Sequence, residues 1–168
     1  LPIFFECPVT EFVAVADLNG DRLGLVNRRY PGVETTADYR DILRNPRIDA
    51  VAISTPVTTH FTLAMEALEA GQHVLVEKPM TATSEEALRL IEKADRHNLV
   101  LMVDHTFVYT GAVRKIRELI DRGSLGEIYY YDSTRVNLGL FQHDVDVIWD
   151  LAVHDLSIMD FILPESPV

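Results

Sequence analysis

Residues 70–79, with the sequence AGQHVLVEKP, constrain the fold more than any other stretch of the chain. Gly71 follows the apolar-periodic residues 58–70 as a glycine at a helix C-terminus does, and residues 73–76 then form a short β-rich run. This order predicts a helix and a buried strand, with Lys78 at the carboxyl end of the strand. Ligands of open α/β sheets bind at that edge, so Lys78 is placed where a cation meets a substrate or cofactor.

Glu77 and Lys78 also fit a plainer interpretation, as solvated charges in a loop that precedes a helix. Pro79 weighs slightly against it, because the residue before a proline is held extended and its side chain points away from the following chain. Both interpretations stay open on these residues alone.

Strands and helices are predicted to alternate along most of the chain. The predicted strands are residues 12–16, 48–53, 73–76 and 100–103. The segments between them have helical periodicity, and Thr83 and Glu86 have the capping-box spacing that opens a helix over residues 84–97. This rhythm is typical of an α/β fold with a parallel, doubly wound sheet.

The composition limits the kinds of partner. With 168 residues, 48% of them hydrophobic and 24% charged, the chain has the makeup of a folded domain rather than a disordered segment. The formal net charge of −11 argues against nucleic acid or an anionic membrane as a partner. Cys7 is the single cysteine and no apolar run approaches the roughly 18 residues of a membrane span, so we expect a cytoplasmic protein.

Asp17 follows the first predicted strand at a position that suits cofactor binding. An acidic residue at the end of the second strand of a dinucleotide-binding βαβ unit accepts hydrogen bonds from ribose hydroxyls and repels a 2′-phosphate, which favours NAD over NADP. An Asx turn that starts the following loop explains Asp17 equally well. A calcium loop is a poor alternative, because Arg28 occupies the position of the required bidentate glutamate.

The AGQHVLVEKP stretch resembles the AGKHVxxEKP signature of the Gfo/Idh/MocA oxidoreductases, two-domain NAD(P)-dependent enzymes that act on sugars, inositols and nucleotide sugars. The resemblance extends from residue 12 to Leu163. It implies a partial NAD-binding domain with a Rossmann-like parallel sheet in residues 1–104, and the start of an α+β substrate and dimerisation domain in residues 105–168. The implied cofactor is NAD, the implied substrate is a small-molecule sugar or nucleotide sugar, and the intact protein is expected to be a homo-oligomer.

The Gly-rich turn of a Rossmann domain is not found in the sequence. No G-x-G-x-x-G occurs before Phe12, and residues 3–7 resemble the tail of the helix that follows such a turn. We therefore expect the first strand and the Gly-rich loop to be missing from a chain truncated at both ends. The first strand is central in the sheet, so its loss should leave two strand edges unpaired.

A T-P-x-x-x-H passage follows the strand predicted at residues 48–53. In the family a similar passage lies beside the cofactor, which implies cofactor contacts from Ser54, Thr55 and His60, in addition to Asp17, Glu77 and Lys78. A capping threonine and a surface histidine explain Thr55 and His60 equally well.

The last pair of candidate catalytic residues lies in residues 148–163, IWDLAVHDLSIMDFIL. This segment is apolar nearly all round, which predicts a buried helix. Asp150 and His154 are four residues apart and should face the same way. The family resemblance implies that His154 is the acid/base beside Lys78 and that Asp150 orients the imidazole. Without it, a helix-capping aspartate and a core histidine are the better interpretation, because a buried pair of this kind is more often structural.

A metal site is a weaker alternative for the same region. The possible ligands are His143, Asp144, Asp146, Asp150 and His154. We discount this site, since no second histidine with helical ligand spacing accompanies His154. Two alternatives to an oxidoreductase nevertheless stay open. One is an unrelated metal-dependent α/β enzyme, and the other is a non-catalytic remnant.

The region between residues 104 and 148 suggests a second domain. Residues 112–121 predict an amphipathic helix, and residues 127–135 predict one long strand, which the resemblance makes the first strand of the substrate domain. The loop that follows is similar to that of enzymes oxidising the 3-hydroxyl of UDP-linked amino sugars and their uronates. This similarity implies substrate contacts from Asn137 and Gln142.

Overall fold

Helices and strands alternate along the first part of the chain, as the sequence predicts. The computed structural model describes residues 2–136, 145–163 and 165. The alternating elements are α1 (Pro2–Glu6), β1 (Ala14–Ala16), α2 (Gly20–Arg29), β2 (Glu34–Thr36), α3 (Tyr39–Arg44), β3 (Ala50–Ile53), α4 (Val57–Glu69), β4 (His73–Val76), α5 (Ser84–His97) and β5 (Leu101–Val103). They are followed by a 3-10 helix (Thr106–Tyr109), α6 (Gly111–Asp121), a π-helical turn (Ile148–Ala152) and α7 (Val153–Ile162).

All the strand pairs are parallel, which confirms the α/β class. β1 pairs with β2 in one sheet, and β3, β4 and β5 lie side by side in a second sheet. Within the described residues, β1 and β3 therefore each have an edge without a strand partner. In the standard six-strand Rossmann order, the first strand lies between these two groups of strands. The edges of β1 and β3 therefore agree with the two unpaired edges that we expect from the sequence.

Helices α4 and α5 pack on one face of the three-stranded sheet and form the main core. Leu68 of α4 and Leu90 of α5 are fully buried against Val74 and Val76 of β4. Burying a leucine side chain stabilises the fold by about 1.5–3 kcal/mol. The small residues Ala64, Ala67 and Ala94 complete the buried cluster together with Ile53.

Local signals at the ends of α4 and α5 agree with the sequence. Gly71 has a φ of 82°, the left-handed conformation that favours glycine after a helix, and the chain turns there into β4. The side chain of Thr83 caps α5 by accepting a hydrogen bond from the backbone N–H of Glu86. These two signals place Lys78 between β4 and α5.

Strand β3 is half-exposed, although the sequence predicts a buried strand. Val51 and Ile53 face the core, whereas Ala50 and Ala52 are exposed. Successive residues of a strand point to opposite faces, and α4 covers only the face of Val51 and Ile53. Strand β2, which pairs with β1, has no counterpart among the predicted strands.

Two predictions for the last part of the chain are wrong. Residues 127–135 form no strand, and Tyr129 and Tyr130 are 84% and 83% exposed. A strand needs a neighbour to bond its backbone, and the described residues offer none there. The second wrong prediction is a buried helix at residues 148–163. This segment begins with a π-helical turn, and Ile162 is the one buried residue among those that the structure describes in it.

No helix in the part of the chain that the structure describes is both long and apolar enough to cross a membrane.

We expect Leu90→Ala to lower the free energy of unfolding by about 2–5 kcal/mol, because it opens a cavity between α5 and the sheet. Urea denaturation followed by circular dichroism measures the loss. Leu88 lies on the same helix but is 66% exposed, so Leu88→Ala is the matched control. The control should change stability by no more than about 0.5 kcal/mol, and equal losses in the two variants would contradict the position of the core.

Candidate functional site

The carboxyl ends of β3, β4 and β5 meet at one edge of the sheet, because the three strands are parallel. Ser54 and Thr55 follow β3, Lys78 follows β4 by two residues, and His105 follows β5 by two residues. Hydroxyl, ammonium and imidazole groups therefore leave the sheet on the same side. That edge is where open α/β sheets bind their ligands.

Lys78 is joined to the C-terminal helical segment by an ion pair. Its Nζ donates to Asp150 Oδ1 at 2.8 Å and to the Asp150 backbone carbonyl at 2.9 Å. The two side chains are only 21% and 17% exposed, so water screens the pair less than it screens a surface pair. The peptide bond between Lys78 and Pro79 is cis. The pair brings together residues 72 positions apart in the sequence.

The prediction that Asp150 orients the imidazole of His154 is wrong. The Asp150 carboxylate binds Lys78, and the buried His154 Nδ1 has no hydrogen-bond partner among the residues that the structure describes. Four-residue spacing brings two side chains together only in a regular α-helix. Asp150 lies in the π-helical turn, whose wider winding changes its direction relative to His154, and the ammonium of Lys78 attracts its carboxylate.

A second contact holds the same segment against the sheet edge. The indole Nε1 of Trp149 donates a hydrogen bond to the backbone carbonyl of Thr81 at 2.7 Å. Thr81 is 2% exposed and its hydroxyl bonds the carbonyl of Thr83. Sequence reasoning missed Trp149. The sequence feature that could have pointed to Trp149 is that it is the single tryptophan of the chain and directly precedes Asp150.

His154 lies in a positively charged and partly buried environment. Its ring meets Phe107 edge-on, with the centroids 4.8 Å apart. Burial is the main cause that lowers the pKa of His154 below 6.5, and the charges of Lys78 and Arg135 lower it further. The imidazole is therefore neutral at neutral pH and has a nitrogen lone pair that accepts a proton.

Asp155 is held by residues from the stretch where a strand was predicted. Arg135 and Ser133 donate hydrogen bonds to its carboxylate, the serine at 2.7 Å. The hydrogen bond from Arg135 is the main cause that keeps the pKa of Asp155 below its ordinary value. The Arg135 guanidinium also stacks on the ring of Phe107 at 5.1 Å. Ser133 and Arg135 thus hold the residue next to His154 without forming a strand.

His105 is another residue of this region that sequence reasoning missed. Burial lowers the pKa of His105, and the neighbouring Asp104 carboxylate partly opposes that effect. In the described part of the chain its buried Nδ1 has no hydrogen-bond partner, and its charge is one of the causes that lower the pKa of His154. Its place directly after β5, at the same edge as Lys78, was the available signal.

His60 lies inside the protein and does not face a cofactor. The ring is 1% exposed, its Nδ1 is 2.9 Å from the carbonyl of Pro79, and its Nε2 is 2.8 Å from the carbonyl of Thr55. Both ring nitrogens are therefore engaged by the backbone. The two predictions for His60, a direct contact with a cofactor and a position on the surface, are therefore both wrong.

Asp17 forms the Asx turn that the sequence allowed. Its Oδ1 accepts a hydrogen bond from the Asn19 backbone N–H at 2.8 Å, and its Oδ2 is 3.4 Å from the Arg22 guanidinium. The side chain is 29% exposed, so a carboxylate oxygen stays within reach of a ligand. Ser54 and Thr55 are exposed, and the Thr55 hydroxyl bonds that of Thr59 at 2.7 Å.

Some of the predicted residues lie outside the described part of the chain. Asn137 and Gln142, the expected substrate contacts, are among them, as are His143 and Asp144 of the alternative metal site. In residues 2–136, 145–163 and 165, no group of three histidine, cysteine or acidic side chains is arranged to hold a metal ion.

The chain matches a known protein family over residues 2–105. That family, Gfo/Idh/MocA, is an oxidoreductase family with an NAD-binding Rossmann fold. The chain belongs to this family. The match confirms the resemblance seen in AGQHVLVEKP and identifies the parallel sheets as parts of a Rossmann-like fold.

Two curated relatives of this Gfo/Idh/MocA chain are named for reactions on nucleotide sugars. The dTDP-3,4-didehydro-2,6-dideoxy-alpha-D-glucose 3-reductase of Streptomyces violaceoruber is 35% identical over 76% of this chain and 37% of its own length. The UDP-N-acetylglucosamine 3-dehydrogenase of Acidithiobacillus ferrooxidans is 33% identical over 95% of this chain and 49% of its own length. The chain thus spans about half, or less, of each relative.

A solved structure of the family shows the same fold with a cofactor bound. It is a 3-ketoreductase of Actinomadura kijaniata in complex with NADP and TDP-benzene, 33% identical, with a TM-score of 0.67 over 73% of this chain and 37% of that one. In the present Gfo/Idh/MocA chain, the edge formed by Ser54, Thr55 and Lys78 offers exposed hydroxyls and a cation. The exposed hydroxyls fit the hydrogen-bonding requirements of a dinucleotide.

We expect Lys78→Met to raise the pKa of His154, because the ammonium that opposes protonation of the imidazole is removed. Nuclear magnetic resonance titration of the His154 ring protons measures the shift. Lys93 also forms an ion pair, with Glu69, but on the surface of α5, so Lys93→Met is the matched control. An unchanged His154 titration in Lys78→Met would show that the two groups do not interact.

Proposed function

We propose that the whole protein transfers a hydride between NAD(P) and a secondary hydroxyl of a sugar or nucleotide sugar. One observation carries this proposal: a lysine and a neutral histidine converge near the ligand-binding edge of an NAD-binding fold. Lys78 leaves that edge, and its charge lowers the pKa of His154. A fixed cation beside a neutral base is the combination that oxidation of an alcohol needs.

The roles of the two residues follow from their charges. In the oxidative direction the neutral imidazole of His154 accepts the hydroxyl proton, and in the reductive direction it returns that proton. The ammonium of Lys78 donates a hydrogen bond to the reacting oxygen and stabilises negative charge that develops on it. Bound NAD(P) supplies the hydride chemistry.

Asp150 positions Lys78 rather than His154. Its carboxylate and its backbone carbonyl both accept hydrogen bonds from the ammonium, which restricts the direction of that long side chain. Glu77 precedes Lys78, and its backbone N–H bonds the carbonyl of Ile53 at 2.9 Å. Pairing between β3 and β4 therefore continues up to the residue before Lys78, which holds the start of this side chain in place.

The reacting position is proposed to be the 3-hydroxyl of a nucleotide sugar. The relatives from Streptomyces violaceoruber and Acidithiobacillus ferrooxidans are named as a 3-reductase and a 3-dehydrogenase. Asn137 and Gln142 are proposed to contact the substrate. Residues 1–104 are proposed as the cofactor domain and residues 105–168 as part of a substrate domain, in a cytoplasmic homo-oligomer. The family match, which ends at residue 105, supports that boundary.

Asp17 is proposed to bind the adenosine ribose and to favour NAD over NADP. Its partly exposed carboxylate can accept hydrogen bonds from ribose hydroxyls, whereas a 2′-phosphate at the same place would meet a like charge. Arg22 lies 3.4 Å from this carboxylate and offsets part of its charge. The preference is therefore expected to be moderate.

Lys78→Met and His154→Ala should each lower turnover by about 100-fold or more, because each removes a group that acts on the reacting oxygen. Binding of NAD(P)H, followed by its fluorescence, should stay nearly unchanged. Turnover is measured by absorbance of the reduced cofactor with nucleotide sugars that carry a free 3-hydroxyl. The controls are Lys93→Met and His97→Ala on α5. Near-normal turnover in either test variant would remove that residue from the mechanism.

Asp17→Ser should raise the ratio of kcat/KM for NADP to that for NAD by about tenfold, because a repulsion of roughly 1.4 kcal/mol is removed. Steady-state kinetics with the two cofactors measure the ratio. Asp21, in the first turn of α2, is the acidic control, and Asp21→Ser should leave the ratio nearly unchanged. A ratio that does not move in Asp17→Ser would place the ribose elsewhere.

A further inference from the structure

We propose that His60 is a positioning residue, whose buried ring bridges the loops after β3 and β4 and thereby fixes the backbone beside Lys78. The catalytic part of this proposal rests on the proposed function. The bridge itself is a property of the folded chain and can be measured without turnover.

The geometry of the bridge is given by two short contacts. His60 is the fourth residue of α4, and its ring points into the protein between the two loops. Nδ1 lies 2.9 Å from the carbonyl oxygen of Pro79, and Nε2 lies 2.8 Å from that of Thr55. Pro79 is the residue after Lys78. The ring thus connects the end of β3 to the peptide unit that follows the proposed catalytic lysine.

The chemistry of the two partners limits the hydrogen bonds that the ring can make. A carbonyl oxygen only accepts hydrogen bonds, and an imidazole nitrogen donates only when it bears a hydrogen. A ring with a single N–H would bond one loop and direct a lone pair at the carbonyl of the other. A neutral ring therefore donates to one of the two carbonyls, and the tautomer decides whether that carbonyl belongs to Pro79 or to Thr55.

The bridge adds a polar contact from α4 to a short segment that other elements also hold. Lys78 and Thr81 are bound by Asp150 and Trp149, which both belong to the C-terminal helical segment. The regular pairing of β4 with β3 ends just before Lys78, at the N–H of Glu77. Met80 packs on the core that α4 helps to form. His60 contacts the residue between these two anchors, Pro79, and so restricts the backbone directly after Lys78.

A kinetic test uses His60→Ala and His60→Gln in the whole protein. A small displacement of a catalytic group costs up to about 100-fold in rate, so His60→Ala should lower kcat by about tenfold to 100-fold while the KM for the cofactor changes little. His60→Gln should retain more activity, because its amide can still donate to one of the two carbonyls. His97 is exposed at the end of α5, and His97→Gln is the matched control with unchanged kcat.

The outcomes separate this proposal from the proposed function. Unchanged kcat in His60→Ala, with Lys78→Met inactive, would overturn the positioning role and leave the function in place. Full activity in Lys78→Met would overturn the function itself. In that case hydrogen exchange of residues 77–83 tests the bridge without turnover. The exchange should become faster in His60→Ala and His60→Gln but not in His97→Gln. Unchanged exchange in both His60 variants would overturn the bridge.

A spectroscopic test measures the bridge in the unsubstituted chain, so it does not depend on how His60→Ala folds. With ¹⁵N-labelled histidine, a ring N–H signal that is protected from exchange should be present and should disappear in His60→Gln. It should persist in His97→Gln. If no protected ring N–H signal is lost in His60→Gln, the ring donates to neither loop, and the proposal would be overturned.

Discussion

The ion pair between Lys78 and Asp150 is the contact on which the candidate site depends. It joins the loop after β4 to the helical segment that carries His154, and both side chains are mostly withdrawn from water. A partly buried charge is stable only with a partner, so each residue keeps the other in place. The same ammonium helps to lower the pKa of His154. One contact therefore fixes the position of the cation, and its charge adds to the effect of burial that keeps the base neutral.

The environment separates the roles of two groups that can each hold a proton. Lys78 forms an ion pair with a carboxylate, whereas His154 is partly buried among positive charges, which favours its neutral form. A cation beside a neutral base is suited to act on the oxygen of one substrate. Asp155 does not reverse the effect on His154, because Arg135 and Ser133 already bind its carboxylate.

The parallel sheet explains why residues distant in the sequence share one site. Three parallel strands end at the same edge, so Thr55, Lys78 and His105 leave the sheet side by side. His60, in α4, and Trp149, in the π-helical turn, then contact the loop after β4 from two different elements. The membership of the chain in an NAD-binding oxidoreductase family agrees with a ligand site at this edge.

The sequence by itself determined the features that depend on near neighbours. The cap at Thr83, the left-handed Gly71 and the strand that ends before Lys78 were all predicted, because each is set by residues within a few positions. The tertiary structure alone decided which partners meet. Asp150 binds Lys78, His60 lies buried between two loops, and residues 127–135 have no neighbouring strand among the described residues. These outcomes depend on groups far apart in the chain and on a helical turn that departs from regular winding, and local periodicity carries no information about either.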